Sequence, residues 1–106
     1  MIIGEVVSKN KVKIRLTSER WKHIIYSHKE IDAGSFSEVL ETIENPDAIL
    51  KGDKGELFAV KKKPRSKYWL VVIYKEQTKT DGFVITAYYT GDASWLFKRK
   101  IIWNKK

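Results

Sequence analysis

Apolar and polar positions alternate with a period of two over Val12-Lys13-Ile14-Arg15-Leu16, which predicts a strand with one solvated face. Residues 2–7 form a second strand candidate, paired with the first through a turn at Lys9-Asn10-Lys11. The period then changes. Trp21, Ile24, Ile25 and His28 fall at i, i+3, i+4 and i+7, so they share one face of a helix. Thr17 fits its N-cap, and Glu19 in the first turn suits the helix dipole. The helix should end near Lys29. Ser35-Phe36-Ser37-Glu38 has the form of a capping box, and Phe36, Val39, Leu40 and Ile43 supply the apolar stripe of a second helix over residues 36–44. Asn45-Pro46 stops it, because a residue before proline disfavours the helical region.

The remainder reads as strands. Residues 48–50 are a short candidate, followed by a turn over 51–55 and a strand over 56–61. A basic turn at 62–67 leads into residues 68–75, which are rich in β-branched and aromatic side chains. A turn at 77–82 and a strand at 83–90 complete a run of consecutive hairpins. Residues 91–94 break the last strand. Residues 95–103 are apolar at both ends and basic in the middle, and their pattern fits a closing helix and a closing strand equally. The expectation is a single α+β domain over residues 1–106, with two N-terminal helices packed on an antiparallel sheet of about four strands.

Composition sharpens this picture. The 106 residues contain no Cys, which excludes a disulfide scaffold, a thiol nucleophile and a Cys-based zinc site. The longest apolar run, residues 68–74, is well short of the ~18 residues of a membrane span. Residues 2–7 are interrupted too early by Glu5 to be a signal segment. A cytoplasmic protein with no membrane contact is expected. The charge is uneven: residues 1–53 hold 8 basic and 9 acidic side chains, and residues 54–106 hold 13 and 4. The whole net charge of +8 therefore lies in the second half, and a basic half on a small domain suits a polyanion, most often nucleic acid.

The chain has two histidines, His23 and His28, both in the first helix. Histidine is the side chain best suited to proton transfer near neutrality. Five positions separate the two, which turns them roughly 140° apart around the axis. His28 lies with Trp21 and Ile25, and His23 with Arg20 and Ser27. Such a pair does not converge on a metal as i, i+4 ligands do, so neither a metal nor another cofactor is expected. Lys61-Lys62-Lys63-Pro64-Arg65-Ser66-Lys67 places five positive charges in seven positions, able to grip phosphates and equally a solvated hairpin tip. Lys61 and Lys63 share one side of the strand and Lys62 takes the other. In residues 86–90, Thr86, Tyr88 and Thr90 line one face, a source of hydroxyl donors for a phosphodiester.

Several segments together resemble a known superfamily. They are Leu16-Thr17-Ser18-Glu19-Arg20-Trp21-Lys22-His23-Ile24, the later His28, Glu44-Asn45-Pro46-Asp47-Ala48-Ile49 and Val84-Ile85-Thr86-Ala87-Tyr88. The chain is similar over residues 12–90 to nuclease domains of the barnase–EndoU–colicin–RelE superfamily, in its phage-associated prokaryotic branch. The resemblance implies metal-independent cleavage of RNA with the ribose 2′-OH as nucleophile. It implies His28, His23 and Arg20 as site residues of the first helix, and Thr86 and Tyr88 as hydroxyl positions of the last strand. Ser27 departs from the pattern, which has Arg before the second His. Lys61 joins Arg20 as a charge-stabilising group, and Lys62, Lys63, Arg65 and Lys67 as RNA contacts. The expected role is that of an endoribonuclease acting on tRNA or ribosomal RNA, as the toxin of a toxin–antitoxin or phage-conflict system with an acidic antitoxin partner. The alternative is a non-catalytic RNA- or ribosome-binding module on the same scaffold.

Overall fold

The computed structural model of the chain describes residues 1–105. The order of elements is β1 (Ile2–Val7), β2 (Lys13–Thr17), α1 (Ser18–Ser27), α2 (Phe36–Glu44), β3 (Ala48–Lys51), β4 (Leu57–Lys62), β5 (Trp69–Glu76), β6 (Asp81–Thr90), α3 (Ala93–Leu96) and β7 (Ile101–Asn104). The strands form one sheet in the order β1-β2-β6-β5-β4-β3-β7.

This corrects the expected architecture. The fold is α+β, but the sheet has seven strands rather than about four, and the helices are not both N-terminal to it. The hairpin β1–β2 precedes the helices and joins the far side of the sheet, where β2 runs parallel to β6 over Lys13–Arg15 against Asp81–Phe83. At the other edge, β7 adds to β3. β1 and β7 thus become the outer strands, and because β2 and β7 join β6 and β3 more than fifty residues away, no local signal marks either attachment. The central meander follows the turn residues: β3, β4, β5 and β6 pair antiparallel in sequence. Residues 95–103, which fitted helix and strand equally, divide between the end of α3 and the start of β7.

Local chemistry explains the helices. Thr17 Oγ1 accepts from the Arg20 amide at 3.1 Å, so α1 starts with a side-chain cap. The capping box expected at Ser35 does not form. Residues Ala33–Ser35 make a 3-10 turn instead, and Ser35 Oγ donates to Asp32 at 3.3 Å. Asn45 ends α2, its amide bonding the Glu41 carbonyl at 2.7 Å.

Alternation along the strands divides the interior in two. On one face Ile14, Leu16, Ala59, Val72, Tyr74 and Ala87 pack against Trp21 and Ile24 of α1 and Val39 and Ile43 of α2. Each aliphatic side chain buried there contributes roughly 2 kcal/mol relative to exposure. On the other face Leu50, Phe58, Val60 and Val71 pack beneath Leu96 of α3, with Tyr88 and Phe97 at the margin. The register shifts between Ile73 and Tyr74, where their partners on β6 are Thr86 and Val84. This bulge at Ile85 sets Val84 and Ala87, three residues apart, on the same helix-covered face. The sheet curls enough to carry Lys9 of the β1–β2 turn to 5.1 Å from the ring of Trp103 on β7. Among the described residues, no helix is long and apolar enough to cross a membrane.

Candidate functional site

Because β2 pairs with β6 only up to Phe83, the outer edge of residues 84–90 carries no strand among the described residues. The C-terminal end of α1 lies there instead. His28 is its C-cap, with an extended backbone and its amide bonded to the Ile24 carbonyl at 2.9 Å. The His28 ring sits 5.6 Å from that of Tyr88 and is one-third exposed. Glu30 follows two residues later. Its Oε2 accepts from the Tyr89 amide at 3.3 Å, filling part of the unpaired edge, and stands 3.8 Å from His28 Nδ1. The turn after α1 thus brings an imidazole and a carboxylate together against two consecutive tyrosines.

The two tyrosines point to opposite faces. Tyr88 shares its face with Thr86, and burial raises its phenol pKa above the ordinary value, with the positive charge of Arg99 acting in the other direction. Tyr89 belongs to the helix-covered face, where it lines a hollow of about 460 Å³ with Glu30, Lys63 and Tyr68. Lys63 Nζ lies 5.3 Å above the Tyr89 ring, and Lys67 Nζ 5.5 Å from that of Tyr68. The β4–β5 hairpin holds these groups in place. The Lys63 amide donates to the Tyr68 carbonyl at 2.9 Å, and Ser66 Oγ accepts from the Tyr68 amide at 3.0 Å. Arg65 takes a left-handed φ of 58° at the tip, and Lys62, Lys63, Arg65 and Lys67 are all exposed. Cations flanking open aromatic rings can bind phosphates and stack bases together.

Of the remaining site residues expected from the sequence, Arg20 and His23 do not gather here, while Lys61 shares an adjoining hollow of about 200 Å³ with Lys63 and Tyr89. Arg20 and His23 border a separate hollow of about 290 Å³ with Thr17 and Glu19. Arg20 is about 12 Å along the helix from His28, at 1.5 Å per residue. Lys61 is on the helix-covered face and is engaged by α2: its Nζ donates to the Asn45 carbonyl at 3.1 Å and pairs with Glu41 at 3.8 Å. Lys61 and Tyr89 lie in one cross-strand row through Leu70, opposite in face to Tyr88. Glu30, Tyr68 and Tyr89 are site residues that the sequence pattern left unmarked. Glu30 lies beyond the helical period, and the two tyrosines read as ordinary strand residues. Among the described residues, no three His, Asp or Glu side chains come together as a metal cluster.

Compared with known proteins, the chain matches no family model, and neither a curated protein nor a solved structure matches it significantly.

Proposed function

We propose that the protein is a metal-independent endoribonuclease whose reacting groups gather at the open edge of β6. The observation that carries this reading is the pairing of His28 with Glu30 at 3.8 Å, against Tyr88 and beside a cation-flanked aromatic hollow. Cleavage through the 2′-OH moves two protons. One leaves the attacking hydroxyl, and one reaches the 5′-oxygen as its bond to phosphorus breaks and a 2′,3′-cyclic phosphate forms. An imidazole and a carboxylate side by side supply one group for each transfer. Tyr88, whose ring meets that of His28 at the edge, and Thr86 carry hydroxyls on the side of the sheet opposite that hollow, suited to orient the phosphoryl oxygens. Lys63, which lines the same hollow as Glu30, takes the charge-stabilising role expected of Lys61. Lys62, Arg65 and Lys67 hold the flanking phosphates, and Tyr68 and Tyr89 offer stacking surfaces.

The motif resemblance to the barnase–EndoU–colicin–RelE superfamily supports the same reading. It extends it to a toxin that acts in the cytoplasm on tRNA or ribosomal RNA and is held by an acidic antitoxin, for which the net charge of +8 provides the complement. A second reading, a non-catalytic RNA- or ribosome-binding module, is favoured by the place of Arg20 and His23 in a separate hollow and by the engagement of Lys61 with Asn45 and Glu41. Incubation with tRNA and ribosomal RNA in EDTA decides between them. The nuclease yields fragments ending in 2′,3′-cyclic phosphate, and deoxyribose at the scissile nucleotide blocks the cut. Bound but uncut RNA assigns the protein to the binding class.

A further inference from the structure

A second basic concavity, of about 560 Å³, opens between the β3–β4 turn and the connection from α3 to β7. Lys51, Lys98, Lys100 and Trp95 border it. The backbone fixes their relative positions: the Lys51 amide donates to the Lys100 carbonyl at 2.9 Å, and Arg99 Nη1 donates to the Lys51 carbonyl at 3.3 Å. Arg99 acts as the rivet. It grips Asp53 through both terminal nitrogens, at 3.0 and 3.3 Å, and its guanidinium lies 4.4 Å from the centre of the Phe58 ring. Its charge is therefore answered within the fold. The three lysines differ in this respect, since none of them forms an ion pair among the described residues.

Three positive charges without an ion-pair partner border one hollow, although Lys98 also acts on Asp92 at longer range, and a bound polyanion relieves their mutual repulsion. Trp95 adds a second kind of contact, since it borders the same hollow and the residue is 37% exposed. An aromatic platform flanked by phosphate-binding cations takes an unpaired base together with its backbone. The hollow also adjoins the α3 side of the sheet, where Tyr88 meets the His28 ring at the open edge of β6. Arg99 rests on Phe58, which lies in one cross-strand row with Ile73 and Thr86, and Arg99 is near enough to Tyr88 to act on its phenol.

We propose that this cleft is a distal subsite for single-stranded RNA, in which a base stacks on Trp95 and the neighbouring phosphates meet Lys51, Lys98 and Lys100. It rests on the reading that the protein handles RNA, and it gives that RNA a path across the α3 side of the sheet from the cleft towards His28. Recognition here is sequence-tolerant, because every base presents a stacking face.

The test is titration of a fluorescein-labelled oligouridylate of about twelve nucleotides at several salt concentrations, with melting curves to show that each variant is folded. On a single strand each neutralised phosphate contributes about 0.7 to the slope of log affinity against log salt, so Lys51→Gln/Lys98→Gln/Lys100→Gln lowers the slope by about 2. Trp95→Ala weakens binding roughly five- to hundred-fold, and Trp95→Phe recovers most of that loss. A triple variant with the wild-type slope, or a Trp95→Ala that binds as wild type does, overturns the subsite. Duplex RNA that suffers the same Trp95→Ala loss as the oligouridylate also overturns it, because a paired base cannot stack there. Cleft variants that behave as described while tRNA and ribosomal RNA stay uncut leave the subsite standing and remove the nuclease reading. Cleavage by the wild type with unaltered binding in the variants does the reverse.

Discussion

The rings of His28 and Tyr88 lie 5.6 Å apart with an interplanar angle of 31°, across the boundary between the end of α1 and the unpaired edge of β6. No backbone bond of the sheet fixes His28 there. Its position is set by the helix that carries it, by the tyrosine ring and by Glu30 behind it.

That arrangement separates the two histidines experimentally. His28→Ala is expected to lower RNA cleavage by on the order of 10²–10⁴, the usual contribution of a positioned acid or base. His23→Ala, on the exposed side of α1, is expected to stay within a few-fold of wild type. Initial rates on labelled RNA in EDTA, measured alongside melting temperature, check this. Equal losses in the two variants, or a His28→Ala defect matched by partial unfolding, would contradict the assignment.

Asp47 ties three strands together. Its carboxylate accepts from the Lys62 amide at 2.8 Å and pairs with Lys105 at 2.9 Å. Burial raises its pKa, but the Lys62 amide and the Lys105 ammonium more than offset this and hold it below the usual carboxylate value. A depressed folded-state pKa contributes stability above the unfolded pKa, which is lost as pH falls through the folded value. Asp47→Asn is therefore expected to cost about 1 kcal/mol at pH 7. The deficit should shrink below about pH 4. Denaturant melts at pH 7, 4 and 2 measure it, and a deficit that does not change with pH would refute the linkage.

Gly82 marks the contact between β2 and β6, opposite Ile14. A Cβ there would stand 2.2 Å from the Lys75 carbonyl oxygen and 2.8 Å from Ile14 Cδ1. Backbone on one side and a buried side chain on the other leave no room to yield. Gly82→Ala is expected to destabilise the fold by roughly 1–3 kcal/mol, the usual range for overpacking. Amide exchange should rise first in β1 and β2, whose only sheet neighbour beyond each other is β6. Uniformly raised exchange would show that the hairpin does not open separately.

Tyr74 is fully buried, and its hydroxyl has no hydrogen-bond partner among the described residues. Removing an unsatisfied buried hydroxyl relieves its desolvation cost of roughly 1–3 kcal/mol. Tyr74→Phe is expected to raise the melting temperature, and calorimetry of the two proteins is the check. A drop would mean that the hydroxyl is satisfied in solution.

The parts of this fold written in local periodicity were readable beforehand. The helical face of Trp21, Ile24 and His28, the Thr17 cap, the stop at Asn45-Pro46 and the three hairpin strands between residues 57 and 90 all follow from neighbours in sequence. Apart from the Ser35 capping box, replaced by a 3-10 turn, what escaped depends on distant partners. Nothing near Lys13 announces that it will align with Asp81, and nothing near Ile101 announces β3. The site divides in the same way. Alternation placed the Tyr88 and Thr86 hydroxyls on one face, but whether Lys61 stands free or is taken by Glu41 and Asn45 is decided by α2 packing across the sheet.

The short parallel contact between β2 and β6 also sets an order of events. Arg15 and Asp81, an ion pair within that contact, are separated by 66 positions along the chain. The β1–β2 hairpin is synthesised before any of the meander, and its edge on the sheet does not exist until β6 has been made. Pairing across so long a loop carries a closure cost that local hairpins do not, so the meander and α2 assemble ahead of it. The strands of this hairpin, translated ahead of the meander, are thus secured after it. While they wait, Ile2, Ile3 and Val7, which stay partly exposed even in the finished protein, have no sheet to lie against. This interval is when the chain is most open to capture by a chaperone or by another copy of itself.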